Sequence, residues 1–234
     1  ILDDSPTPAY YQDGSVTGAI QLTLNILLEG AFDPGTKTMN SLLNMQNVLP
    51  QSQPYNTAPW NYDGTENVIS IPANAVDWVL IELRETTGDA TTATPDKSIA
   101  RKAGFVMQNG SVIDIDGNTN PEFPVSPTEN IFVVIHHRNH LPVISSSPVL
   151  IFNGMGSYNF TNAENKALGG ISGHKELTVG KWGVRSGDGN ADGEIDDTDK
   201  QNIWLPDAGY NGYLPSDYSM DSETNNQDKN NFWY

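Results

Sequence analysis

An acidic twelve-residue loop occurs twice near the end of this chain, the second copy 29 residues after the first. The copies run from Asp188 to Asp199 and from Asp217 to Asp228, and each continues Lys-x-Asn-x-Trp, at Lys200 to Trp204 and Lys229 to Trp233. Oxygen-bearing side chains fall at loop positions 1, 3, 5, 9 and 12: Asp188, Asn190, Asp192, Asp196 and Asp199, then Asp217, Ser219, Asp221, Asn225 and Asp228. Gly193 stands at position 6 of the first copy. A hard cation takes about six to eight oxygens, and a short turn reversing on glycine delivers them. Calcium is therefore the expected ligand of both loops. A single match arises often by chance, but two in-register copies with the same followers do not.

Charge placement agrees with that expectation. The chain of 234 residues carries a net charge of −17, and from Ser186 to Tyr234 there are 11 acids against 2 bases. About half of the imbalance thus lies on the repeats, where metal ions would neutralise it and where self-repulsion would otherwise loosen the segment. So negative a chain is not expected to bind nucleic acid or anionic membrane surfaces. It has no cysteine, which excludes disulfides and thiolate zinc sites and fits export. No apolar run reaches the roughly 20 residues that span a bilayer. The start at Ile1, without initiator methionine or signal peptide, points to a processed product or a fragment.

Before the repeats the pattern is that of strands. Ile20, Leu22, Leu24, Ile26 and Leu28 alternate with period two. Val76 to Leu83 sets Trp78, Leu80 and Glu82 on one face and Val79, Ile81 and Leu83, the better core candidates, on the other. Asn109-Gly110 between two apolar runs signals a hairpin, and Ile131 to Ile135 suits a strand buried on both faces. Val143 to Phe152 adds one strand or two short ones. Asn162 to Leu168 suits a short helix, and Glu176 to Val184 a strand leading into the repeats. Long connections rich in Pro, Asn and Gly, at 50–64 and 118–130, complete the pattern of an antiparallel β-sandwich. The expected fold is mainly β: a sandwich over residues 1–183, then a small α-helical two-loop calcium-binding unit over 184–234.

The duplicated loop with its Lys-x-Asn-x-Trp continuation resembles the dockerin type I repeats of secreted bacterial proteins, in which one helix follows each calcium loop. Leu49 to Gly64 (LPQSQPYNTAPWNYDG), Val76 to Arg84 (VDWVLIELR) and His137 to Leu141 (HRNHL) resemble a module at the C-terminal end of large Bacteroidota surface proteins, exported by the type IX route. These resemblances imply a secreted or cell-surface protein with no assigned reaction. The dockerin pattern implies side-chain ligands at Asp188, Asn190, Asp192, Asp196 and Asp199, with the Glu194 carbonyl, and at Asp217, Ser219, Asp221, Asn225 and Asp228, with the Glu223 carbonyl. Ser222 replaces the turn glycine where a positive φ is wanted, and Ser219 and Asn225 are weaker ligands, so the second site is expected to be the weaker. Ile195 is expected to pair with Thr224 between the loops, and Ile203, Trp204, Phe232 and Trp233 to form a small core.

Other chemistry is thinner. His136, His137 and His140 cluster after the Ile131–Ile135 strand at spacings that can ligate zinc, but no Asp or Glu lies within six residues to complete a site. Glu82 and Arg84 fit either an acid with its partner or a surface ion pair. Asp114 to Asn120 is a further oxygen-rich turn, read as a third cation site or as an Asx turn. Tyr55, Trp60, Tyr62 and Trp78 would make a platform for sugar rings if they lay together on the surface. No GxSxG nucleophile elbow is present. The expected function is a calcium-binding, non-catalytic extracellular module, structural or adhesive, within a fibre or large adhesin. Its expected partners are calcium, other protein modules or copies of itself, and polysaccharide. The alternatives are a carbohydrate-binding module using Trp60 and Tyr62, or a polysaccharide-active enzyme working near His137, His140 and Glu82.

Overall fold

The computed structural model describes residues 18–232. Thirteen strands follow in chain order: β1 (Ile20–Asn25), β2 (Phe32–Asp33), β3 (Thr38–Met39), β4 (Ala75–Thr86), β5 (Ser98–Met107), β6 (Ser111–Ile113), β7 (Glu122–Phe123), β8 (Asn130–His136), β9 (Val143–Ile144), β10 (Ile151–Phe152), β11 (Met155–Asn159), β12 (His174–Thr178) and β13 (Lys181–Val184). Nine of them form one curled sheet, ordered β10-β11-β1-β6-β5-β4-β8-β9, with β7 also paired to β1. The mainly-β expectation holds. The pairing is mixed, however: β11 lies parallel to β1, from Gln21 opposite Met155 to Asn25 opposite Asn159. A long crossover through the whole sheet makes that pair, and no local pattern in either strand encodes it.

The twelve-residue β4 organises the sheet, with β5 on one edge and β8 on the other. Its Val79, Ile81 and Leu83 join Leu22, Leu24, Val133 and Ile135 in the main core. Its other face is buried as well. Trp78 and Leu80 pack with Tyr55, Tyr62, Ala103 and Phe105 in a second cluster. The Pro-rich connection folds down to cover them, since Tyr55 Oη donates to the Trp78 carbonyl (2.8 Å) and Trp78 Nε1 to that of Pro50 (2.8 Å). The aromatic platform is therefore not formed. Tyr55, Tyr62 and Trp78 are buried and only Trp60 stays half-exposed, because a polar handle on each buried ring finds a partner inside.

Local signals elsewhere were sound. Gly110 turns the β5–β6 hairpin at φ +87°, and β8 is buried along both faces. Val143 to Phe152 yields two short strands, and Glu164–Lys166 a single 3-10 turn. The expected strand at 176–184 is instead the hairpin β12–β13. Beyond β13 the chain is clamped between two segments of the β-rich part. Val184 N–H donates to Leu27 O (2.9 Å) and Glu29 N–H to Val184 O (3.1 Å), while Leu141 N–H donates to Arg185 O (2.9 Å) and Gly187 N–H to Asn139 O (3.0 Å). This thread carries the chain straight into the first acidic loop.

Candidate metal centre

The two acidic loops share only four residue types in register, at positions 1, 5, 7 and 12, yet they adopt one internal hydrogen-bond pattern. Asp188 accepts from the N–H groups of Asp192 (3.1 Å) and Gly193 (3.1 Å); Asp217 accepts from Asp221 (3.0 Å) and Ser222 (2.9 Å). At the far end Asp199 accepts from Asn190 (3.1 Å) and Asp196 (2.9 Å), and Asp228 from Ser219 (2.8 Å) and Asn225 (2.8 Å). Between them, Asp192 and Asp221 each accept from the residue two places on, Glu194 and Glu223, both at 3.0 Å. Asp196 and Asn225 accept in the same way from Thr198 and Gln227, both at 2.7 Å. Position 4 is left-handed in both copies (Ala191 and Met220, φ +57°), as is position 6 (Gly193, +90°; Ser222, +72°). A helical segment follows each loop: Asp199–Trp204, wound as a π-helix and extended by Leu205–Asp207, and Asn226–Phe232.

The first and last carboxylates of each loop, Asp188, Asp199, Asp217 and Asp228, are fully buried. Burial first, then the nearby Asp199, pushes the Asp188 carboxyl up to about 7. Burial likewise raises Asp217, to about 6, against the opposing pull of the Arg138 guanidinium. Asp199 and Asp228 are also raised, chiefly by burial. Carboxylates removed from water and set near one another must take up a proton or a cation. The donor set is all oxygen and includes no sulfur or imidazole, which suits a hard ion such as calcium. Among the described residues no three acidic or imidazole side chains close into a cage. The carboxylates are held by loop N–H groups instead, so the fit to calcium rests on oxygen chemistry, burial and raised proton affinity. The remaining polar residues lie on the same loops: Asn190 donates to Asp192 (2.7 Å), Ser219 to Asp217 (3.5 Å) and Asn225 to Glu223 (3.4 Å).

Two packing expectations are corrected. Thr224 does not pair with Ile195. Its N–H donates to the Tyr210 carbonyl (2.9 Å) and its carbonyl accepts from Gly209 (2.7 Å), so the inter-helix connection has taken the backbone that the other loop would need. The small core is Trp204, Tyr218 and Phe232, with Ile203 packed over Gly189 at its edge. Trp233 lies outside the described residues. Tyr218, at position 2 of the second loop, was missed; a large aromatic inside an acidic turn was the available signal.

The loops meet the sheet through the histidine segment. Asn139 Nδ2 donates to the Asp217 carbonyl (2.6 Å), Ser186 Oγ to that of Tyr218 (2.8 Å) and Arg138 to that of Leu214. Gly30 is required here, because a Cβ would stand 1.9 Å from the Tyr218 carbonyl oxygen. Met220, at position 4, is a member of the main core. The carboxylates that sequence proximity did not supply come from β4: Glu82 meets His136 (2.8 Å) and Asp77 meets His137 (3.2 Å). His137 and His140 bond each other through their Nδ1 atoms (3.0 Å), and both are buried away from any cleft. His136 thus turns to Glu82 while His137 and His140 bond each other, and the three do not converge on a zinc-like site. At the 114–120 turn, Asp116 accepts from Asn118 (2.9 Å) and Thr119 (2.8 Å), which is the Asx-turn arrangement, and Asp114 pairs with Lys102 (2.5 Å).

No protein-family model matches this chain, and neither a curated protein nor a solved structure matches it. No helix among the described residues is long and apolar enough to cross a membrane.

Proposed function

We propose that the two loops each bind a calcium ion, forming a dockerin-type unit that locks the C-terminal segment onto a β-rich, non-catalytic, exported scaffold with a structural or adhesive role. The observation that carries this reading is the duplicated hydrogen-bond pattern around four fully buried carboxylates. Asp188, Asn190, Asp192, Asp196, Asp199 and the Glu194 carbonyl would hold the first ion. Asp217, Ser219, Asp221, Asn225, Asp228 and the Glu223 carbonyl would hold the second. The ion supplies positive charge that lets these carboxylates stay ionised while buried. Arg138 Nη2 already stands 4.0 Å from Asp217, so part of the second loop's charge is met from within the protein. That favours the first loop as the tighter site, as do Ser219, Asn225 and the left-handed Ser222. The placement outside the cell rests on the resemblance of the loops and of the 49–64, 76–84 and 137–141 segments to exported bacterial modules.

Titration calorimetry on the chelator-treated chain should count two calcium ions, the tighter lost in Asp188→Asn and the weaker in Asp217→Asn. A ligand at a hundred times its Kd stabilises by about 2.7 kcal/mol per site. Chelation should therefore lower the melting temperature by roughly 5–10 °C per site, and calcium should restore it. A chain that melts identically with EDTA and with millimolar calcium would exclude the reading.

A further inference from the structure

A cleft of about 640 Å³ lies where β4, β5 and β8 meet the first acidic loop, lined by Trp60, Glu82, Arg84, Arg101, His136 and Asp192 among others. Its size falls within the roughly 300–1,000 Å³ of small-molecule sites. We propose that this cleft binds an uncharged saccharide.

The polar floor is built on strands and is internally braced. Glu82 is only 5% exposed and accepts from Arg84 Nε (3.0 Å), Arg84 Nη2 (2.9 Å) and His136 Nε2 (2.8 Å). Arg84 Nη1 donates in turn to the Ala93 carbonyl (3.0 Å). These bonds engage three of the roughly five N–H groups of the Arg84 guanidinium and about three of the four acceptor directions of the Glu82 carboxylate. Both remain able to bond a ligand without giving up a partner. Burial raises the Glu82 carboxyl, but the hydrogen bonds from His136 and Arg84 outweigh it and hold that group at about 2. It is an acceptor throughout the physiological range.

The wall is aromatic. Trp60 is half-exposed, its ring set perpendicular to Tyr55 at 5.0 Å, and its carbonyl accepts from Arg101 Nη1 (2.8 Å). A fixed indole beside fixed donors and acceptors matches a ring that is apolar on its face and hydroxylated at its rim. Hydroxyls both give and take hydrogen bonds, so neighbouring hydroxyls on one ring satisfy Glu82 and the two arginines together. An anionic ligand is disfavoured: Arg84 is neutralised by Glu82, and the chain as a whole carries −17. These groups belong mainly to the sheet and the 50–64 connection, and the proposal does not depend on calcium in the loops.

The test is affinity electrophoresis followed by calorimetry, with calcium present, against soluble xylan, mixed-linkage β-glucan, galactomannan and dextran, with polygalacturonate as the charged comparison. At least one neutral polysaccharide should bind. Trp60→Ala and Glu82→Gln should each weaken that binding tenfold or more, while the Trp60 variant still unfolds in one cooperative transition. Should Glu82→Gln fail to fold, the Trp60 variant decides alone. Absence of binding to every neutral polysaccharide, tighter binding to polygalacturonate, or undiminished binding by Trp60→Ala would each overturn the proposal. None of these results depends on the calcium count or on the response to EDTA.

Discussion

Asp77 is fully buried and accepts from three side chains, Arg138 Nε (3.0 Å), Tyr213 Oη (2.6 Å) and His137 Nε2 (3.2 Å). The proton positions around it follow from one fixed donor. Gly30 N–H can only donate, and it does so to His140 Nε2 (3.1 Å), so a neutral His140 carries its proton on Nδ1. That proton faces Asn139 Oδ1 (2.8 Å) and His137 Nδ1 (3.0 Å), which leaves His137 protonated on Nε2 toward Asp77. Burial is the main cause that lowers the proton affinity of both rings, His140 most strongly. The sign is then set. As pH falls below the ordinary histidine value of 6.5, the unfolded chain takes up protons that the folded chain refuses, and stability is lost until the folded rings protonate too. With calcium saturating, the urea midpoint should fall from pH 7 to pH 5. His140→Ala should orphan the Gly30 donor at a cost of about 1–3 kcal/mol, before any loss from the cavity, and should flatten part of that pH dependence. A variant within about 0.5 kcal/mol of wild type would show that the relay is not needed. The histidine cluster was visible in the sequence, but its carboxylate partners were not. They come from β4 through the β4–β8 register, with Leu80 opposite His136, and register is not written in either strand alone.

At the scale of the element, each loop buries its first and last carboxylates, where a proton and the proposed cation would compete. Asp188 and Asp217 have pKa values raised to about 7 and about 6, so without metal their contribution to stability is full at low pH and is lost as pH rises through those values. Calcium should reverse this dependence by displacing the protons. Its apparent affinity should drop as pH falls below about 7, the first loop responding at higher pH than the second. Calorimetry in two buffers of different ionisation enthalpy would read the released protons, and a heat independent of buffer would contradict the assignment. Ser222 sits at φ +72°, a conformation that costs a non-glycine residue roughly 1–2 kcal/mol. Its hydroxyl bonds Gln46, an exposed side chain whose bond water can replace. The strain outweighs that bond, so Ser222→Gly should tighten calcium at the second loop about two- to fivefold and leave the first unchanged. The spacing of oxygens and the odd serine were legible because loop geometry is a local property. The capture of Thr224 by Gly209 and Tyr210 was not, since the sequence offers two partners for one backbone and does not rank them.

Across the whole molecule, strands that alternate cleanly in sequence are found in the sheet: Val76 to Leu83 lies within β4, and the alternation from Ile20 forms β1 as far as Asn25, three residues short of Leu28. The parallel pairing of β1 with β11 and the seating of the repeats on the sheet are contacts between distant segments, and neither leaves a periodic trace. The C-terminal loops are continuous with the β-rich part in two ways. Residues 184–187 thread between 27–29 and 139–141, and Met220, in the second acidic loop, lies fully buried in the main core. A side chain that belongs at once to an acidic loop and to the sheet's core should make the two unfold together. Met220→Ala should cost about 2–5 kcal/mol, the range for a buried methionine truncated in a core. It should lower the temperature at which the sheet melts, not only that at which the loops release calcium. Calorimetric unfolding of the wild type with calcium should be one transition, and that of the variant should remain one, shifted downward. A variant whose loops melt first, leaving the sheet's own transition at the wild-type temperature, would mean that Met220 rests against the core without contributing to it, and that the loops are an appended unit after all.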